Sequence, residues 1–134
     1  MSFTDDFNTC MSSSGLPTPI QVFDSVSDAL EFLHQLHTAW ETAGGEADMT
    51  LAALAAAGAA TGIDEGALAI LAAAGTVTVS FYLGACFGCI VRAWPSTGMS
   101  WSDFLASADD SWMQDQLTVA ANDQGIDTSG TANA

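Results

Sequence analysis

The stretch "GALAILAAAGTVTVSFYLGACFGCIV", residues 66–91, carries no charged side chain in a chain that is otherwise acidic. Read as one helix it would be about 39 Å long at 1.5 Å per residue, enough for the roughly 30 Å hydrocarbon core of a bilayer. Residues 49–63, "MTLAALAAAGAATGI", are charge-free as well, and only Asp64 and Glu65 separate the two runs. That first arm would reach about 22 Å. Together the arms predict a helical hairpin with an acidic tip. One part of the second arm pulls the other way. Residues 76–83, "TVTVSFYL", are β-branched and aromatic and would be read as a strand in water. Within a long apolar segment helix is the better expectation, because each backbone group must then be satisfied locally. Gly75 marks a place where the arm can kink.

Outward from the hairpin, periodicity returns. Residues 24–45, "DSVSDALEFLHQLHTAWETAGG", place Val26, Leu30, Leu33, His37 and Trp40 on one helical face, widened by Ala29 and Leu36. Asp24 or Ser25 can accept the free first-turn N–H groups, and Gly44 and Gly45 end the helix. On the other side, Arg92, Trp94 and Pro95 close the apolar run, with a basic residue and Trp together as at a membrane boundary. Residues 100–122 then predict a second amphipathic helix capped by Ser100 or Ser102, with Trp101, Leu105, Ala108 and Trp112 in line and Phe104 alongside. The expected fold is all-α: an apolar hairpin over 46–98, flanked by amphipathic helices over 23–45 and 99–122. The Ser/Thr-rich residues 1–22 are expected to be a flexible loop and residues 123–134 a disordered tail.

Charge narrows the function classes. The chain has 16 Asp or Glu against a single Lys or Arg, which is Arg92, for a formal net charge of −15. Nucleic acid and anionic headgroups both need basic residues for binding, so neither is an expected partner. The segment "MSFTDDFNTCMSSSG" lacks the basic region and apolar stretch of a secretory signal peptide.

Chemistry-bearing residues are sparse. Cys10, Cys86 and Cys89 are too few and too irregularly spaced for a disulfide scaffold. "CFGC", residues 86–89, has the C-x-x-C spacing but lies inside the apolar run, without the strand-to-helix setting that activates a redox thiol, so buried inert thiols are expected. Glu31, His34 and His37 do not share one helical face, which argues against a metal site on that helix, whereas His37 falls on the packing face and can respond to pH. No nucleophile–base arrangement, phosphate loop or paired catalytic carboxylates emerges. The chain is not expected to be an enzyme or to need a cofactor.

The most specific feature is glycine spacing. Gly58, Gly62 and Gly66 form a doubled GxxxG, and Gly84 and Gly88 repeat it in the second arm, a pattern that lets helix backbones approach closely. Asp64 and Glu65 at the tip would have to be protonated or shielded before entering hydrocarbon, which favours entry at low pH.

This glycine-zipper hairpin, in an acidic lysine-free chain with Gly44-Gly45 after an amphipathic segment, resembles the small glycine-zipper bacteriocins of contact-dependent killing systems and the class II microcins. The resemblance implies a secreted antibacterial protein that permeabilises a target membrane and oligomerises when inserted. It also implies a cognate immunity or export partner, and a double-glycine leader cleaved after Gly45. Two other readings stand beside it. One is a soluble acidic helical bundle, such as an immunity factor or adaptor, that binds a basic partner. The other is a single-span inner-membrane protein with Arg92 on the cytoplasmic side.

Overall fold

The computed structural model describes residues 3–16, 26–57, 72–73, 76–108 and 110–126, together with 69 and 128. Among them are six α-helices: α1 Phe3–Ser13, α2 Val26–Thr42, α3 Leu51–Ala57, α4 Val79–Ala93, α5 Trp101–Ala106 and α6 Ser111–Asp123. A 3₁₀ turn, Trp94–Thr97, follows α4 directly. No strand occurs among the described residues, and the protein is all-α. The fold is built around α4, which packs against α1, α2, α6 and the 3₁₀ turn. Val79, Tyr82, Leu83, Cys86, Phe87, Cys89, Ile90, Val91 and Ala93 of that helix are all buried.

The helix α4 begins later than the unbroken apolar run implies. Thr78 is extended (φ −77°, ψ 153°), and its hydroxyl accepts from Phe81 N at 3.2 Å, so Thr78 is an N-cap. On its other side Thr78 forms an isolated antiparallel bridge with Thr50. Leu51 N donates to Val77 O and Val79 N to Met49 O, each at 2.8 Å. The residues that looked strand-like are therefore divided. Val77 and Thr78 pair in extended form, and Val79 onward is helix. This corrects the expectation of one continuous helix over residues 66–91. The helix α4 has 15 residues, about 22 Å, and among the described residues no helix is long and apolar enough to cross a membrane.

Two further expectations change. Residues 3–13 are helix, not loop, and Phe3, Phe7 and Met11 are buried on one side of α1. Their i, i+4, i+8 spacing makes a narrow apolar stripe that the surrounding Ser, Thr and Asp residues hide from a composition-based reading. Asp5 and Asp6 occupy the first turn, where carboxylates offset the partial positive charge of a helix N-terminus. The predicted helix over 100–122 is split in two. Ser100 caps α5, as expected, but Asp110 starts a new helix by accepting from Trp112 N at 2.9 Å. The Gln114 amide donates across this break to the carbonyls of Leu105 and Ala108.

Of the predicted face of α2, Ala29, Leu30, Leu33 and Leu36 are buried and Val26, His37 and Trp40 are partly buried, with Phe32 and Ala39 added to it. Gly44 (φ +119°) and Gly45 (φ +65°) end it in conformations that favour glycine. Gly45 N donates to Trp40 O at 2.8 Å and Gly44 N to Glu41 O at 3.1 Å, the pairing of a Schellman cap. The caps expected at Asp24 and Ser25 lie outside the described residues, as does most of the tail beyond residue 126.

The Thr78 cap gives a test of where α4 begins. Thr78→Ala is expected to cost about 1 kcal/mol in urea denaturation, the usual loss for an N-cap. A continuous helix through residue 78 would instead gain slightly from alanine.

Candidate functional site: the edge of α4 and the cleft beside it

Phe81, Gly84, Gly88 and Arg92 follow one another at spacings of three and four, and so form the outward stripe of α4. Phe81 is 61% exposed, one of two large apolar side chains on the surface of the described residues. The two glycines in the stripe differ. A Cβ on Gly84 would meet nothing within 4 Å, whereas one on Gly88 would lie 3.1 Å from Gln124 Nε2. Gly88 is thus needed for a contact inside the molecule. Gln124 Nε2 donates to Gly88 O at 2.9 Å, and Arg92 Nε donates to Gln124 Oε1 at 2.6 Å. One amide clamps the end of α6 to α4 and fixes the chain's single arginine. Gly58, Gly62 and Gly66 of the predicted zipper lie outside the described residues, and so do Asp64 and Glu65 of the tip. Trp94, read as interfacial, is buried: its indole donates to Met99 O at 3.0 Å, and its ring lies edge-on to Trp101.

The cysteines depart from expectation. Cys10 of α1 is disulfide-bonded to Cys89 of α4, with Cα atoms 5.5 Å apart, and only Cys86 is a free, buried thiol. Sequence spacing alone could not show this pair, since 79 positions separate its members. The available signal was that Cys10 falls at i+3 from Phe7, beside the stripe that α1 buries. Closing so long a loop removes unfolded-chain entropy worth about 4.5 kcal/mol in the chain-entropy account. Cys86 matches the inert-thiol reading. Burial pushes its thiol up, against the opposing effect of a hydrogen bond with Tyr82, and so keeps it protonated. Both sulfur-bridged residues line a cavity of about 480 Å³ that Asp6, Thr9, Ser13 and Arg92 also border.

A separate cleft of about 790 Å³ opens between α2 and α6, lined by Leu30, Glu31, His34, Asp110 and Met113 among others. His34 Nδ1 lies 3.1 Å from Asp110 Oδ2 across it. One turn further on, the His37 ring stacks on Trp112 with centroids 3.6 Å apart, and His37 Nδ1 lies 3.1 Å from Glu41. Sequence reasoning placed His37 on a packing face but offered no signal for the pairing of His34 with Asp110, which depends on how α2 and α6 cross. Among the described residues no group of three or more His, Cys, Asp or Glu is arranged to hold a metal ion. Comparison with protein-family models, curated proteins and solved structures finds no match for the chain.

Two tests follow from this geometry. Gly84→Ala is expected to stabilise by roughly 0.5–1 kcal/mol, since alanine replaces glycine in an open helix position. Gly88→Ala is expected to show no such gain, because the new methyl displaces a Gln124 amide held by two hydrogen bonds. Equal gains in urea denaturation would show that Gln124 does not clamp the helix.

The second test concerns pH. Burial lowers the His37 pKa below its ordinary 6.5 and outweighs the attraction of Glu41 and Asp110, with His34 adding a small push in the same direction as burial. The fold therefore keeps this imidazole neutral after the unfolded chain would take up a proton. Its contribution is complete above pH 6.5 and is lost as pH falls through the unfolded and then the folded pKa. Thermal unfolding is expected to show stability falling from pH 7 to pH 5.5, with a shallower fall in His37→Phe, which keeps the stack on Trp112.

Proposed function

We propose that this is a membrane-active antibacterial protein, held in a water-soluble form by the helices that cover α4. One observation carries the reading: a helix with no charge from Val79 to Val91 lies at the centre, beneath amphipathic helices that turn carboxylates outward. Asp5 on α1, Asp28, Glu31 and Glu41 on α2, and Asp115 and Asp123 on α6 are exposed. Exposed Phe81 gives α4 a first apolar contact with a lipid surface. At about 22 Å, α4 falls short of the roughly 30 Å bilayer core, so insertion requires that the glycine-rich arm join it or that the membrane thin. The role of Gly58, Gly62, Gly66, Gly84 and Gly88 in that state is close helix packing and self-association, with Asp64 and Glu65 protonated at the tip. The exposed Gly44-Gly45 turn suits cleavage on export, which would cut the chain between α2 and the inserting part.

The test is dye release from phosphatidylcholine vesicles at pH 7 and pH 5, with and without a dithiol. Release that rises at low pH and falls in Gly62→Leu is the expected result. No release in any condition from a monodisperse protein would overturn the reading.

A second reading is favoured by the cleft between α2 and α6. Its acidic rim and apolar floor suit a basic side chain of a protein partner, as in an adaptor or immunity factor. Stable capture of a basic peptide with Glu31→Gln and Asp110→Asn abolishing it, together with intact vesicles, would favour that reading over the first.

A further inference from the structure

We infer that the Cys10–Cys89 disulfide is a redox latch, which a dithiol reductant opens to release α1 from α4 while the remaining helices stay folded. The inference rests on the membrane-active reading only for what the uncovered edge of α4 then meets.

Position is the first argument. The disulfide is the covalent tie between α1 and α4. Besides α4, the helix α1 packs mainly on the 3₁₀ turn, where Ser96 Oγ donates to Asp6 Oδ2. The other supports of α4, from α2 and α6, are independent of it. The helix α1 is also an imperfect fit. Asn8 Oδ1 is buried without a hydrogen-bond partner, a desolvation cost that leaving the bundle would relieve. Asp5 and Asp6 further join a strongly negative molecule, which self-repulsion tends to open. Without the bridge, α1 is held by the burial of Phe3, Phe7 and Met11 on α4 and the 3₁₀ turn, and its departure leaves the packing of α2 and α6 on α4 in place.

Chemistry is the second. The disulfide lines a cavity, so a thiolate can reach it, and Cys10 is the more accessible partner because Cys89 is nearly fully buried. The incoming thiolate attacks Cys10 Sγ. The sulfur–sulfur bond breaks, and its electron pair leaves on Cys89 Sγ, which takes a proton from solvent. The second thiol of the reductant then attacks the mixed disulfide and frees Cys10. Two electrons pass from the dithiol, which ends as its own disulfide.

Arg92, the chain's single Lys or Arg, borders this same cavity three residues from Cys89. In a molecule of net charge −15 that would otherwise repel thiolates, its guanidinium attracts the attacking anion and stabilises the departing one. Gln124 holds Arg92 there. Cys86 takes no part, since it is buried and protonated.

The latch also bears on processing. Cys10 lies before the Gly44-Gly45 turn and Cys89 after it, so a cut at that turn leaves the two pieces covalently joined until the disulfide is reduced.

Hydrogen exchange read by mass spectrometry on the full chain, with no lipid present, tests this directly. In the reduced protein the amides of residues 3–13 are expected to exchange at least tenfold faster, while those of α2 and α6 keep their protection. Cys86→Ser is expected to respond like the native chain. Arg92→Gln is expected to slow reduction by dithiothreitol about threefold at low ionic strength, the order of effect of one nearby unit charge in water. Unchanged protection in α1 would overturn the latch, and so would simultaneous loss of protection in every helix. Vesicle leakage is a separate readout, so failure of the latch and failure of the membrane reading are distinguishable.

Discussion

From Val79 to Val91 there is no charge on α4, and water must be kept off most of its circumference. The rest of the bundle can be understood as the means of doing so. Tyr82, Phe87 and Ile90 call for neighbours on several sides, and α1, α2 and α6 supply them with Phe7 and Met11, with Leu30, Leu33 and Leu36, and with Met113 and Leu117. Among the described residues the edge running through Phe81, Gly84, Gly88 and Arg92 escapes full cover. Among the described residues no polar or charged residue falls in the fully buried class. The core is therefore held by apolar burial, which sets no direction and leaves register to caps, turns and the disulfide.

Those directional devices are concentrated at the ends of α4. At its start, the Thr50–Thr78 bridge and the Thr78 cap fix where the helix begins and bring α3 to it. At its end, the 3₁₀ turn folds Trp94 back into contact with Trp101 and Phe104. Gln124 and the Cys10–Cys89 bridge act along the last turns, from α6 and α1 respectively. A helix too apolar to specify its own surroundings is thus located by a few polar and covalent contacts.

The surface works against this arrangement. A net charge of −15 on a chain of this size favours expansion, and Arg92 is the sole basic side chain available to offset it. Cross-linking residues 79 positions apart counters that tendency by restricting the unfolded chain. A strongly acidic exterior around an apolar centre favours dispersal in water, as the proposed membrane-active role would require before delivery.

The sequence by itself determined the helical class, the course of α2 from residue 26 to its glycine stop and the place of α4 at the apolar centre. Each is a local matter: a period of 3.6 in residues 26–42, glycines that stop it at 44 and 45, and an absence of charge that leaves burial as the outcome in water. It did not determine α1, because Phe3, Phe7 and Met11 form a stripe too narrow to stand out until α4 offers a surface for it. Nor did it determine where α4 begins. Thr78 is held extended as a cap by the bridge from Thr50, which lies far off in the chain. The disulfide, the Gln124 clamp and the cleft with His34 and Asp110 were decided by tertiary structure alone. Each joins residues far apart in the chain, and their meeting follows from how helices cross and pack, which no local pattern records.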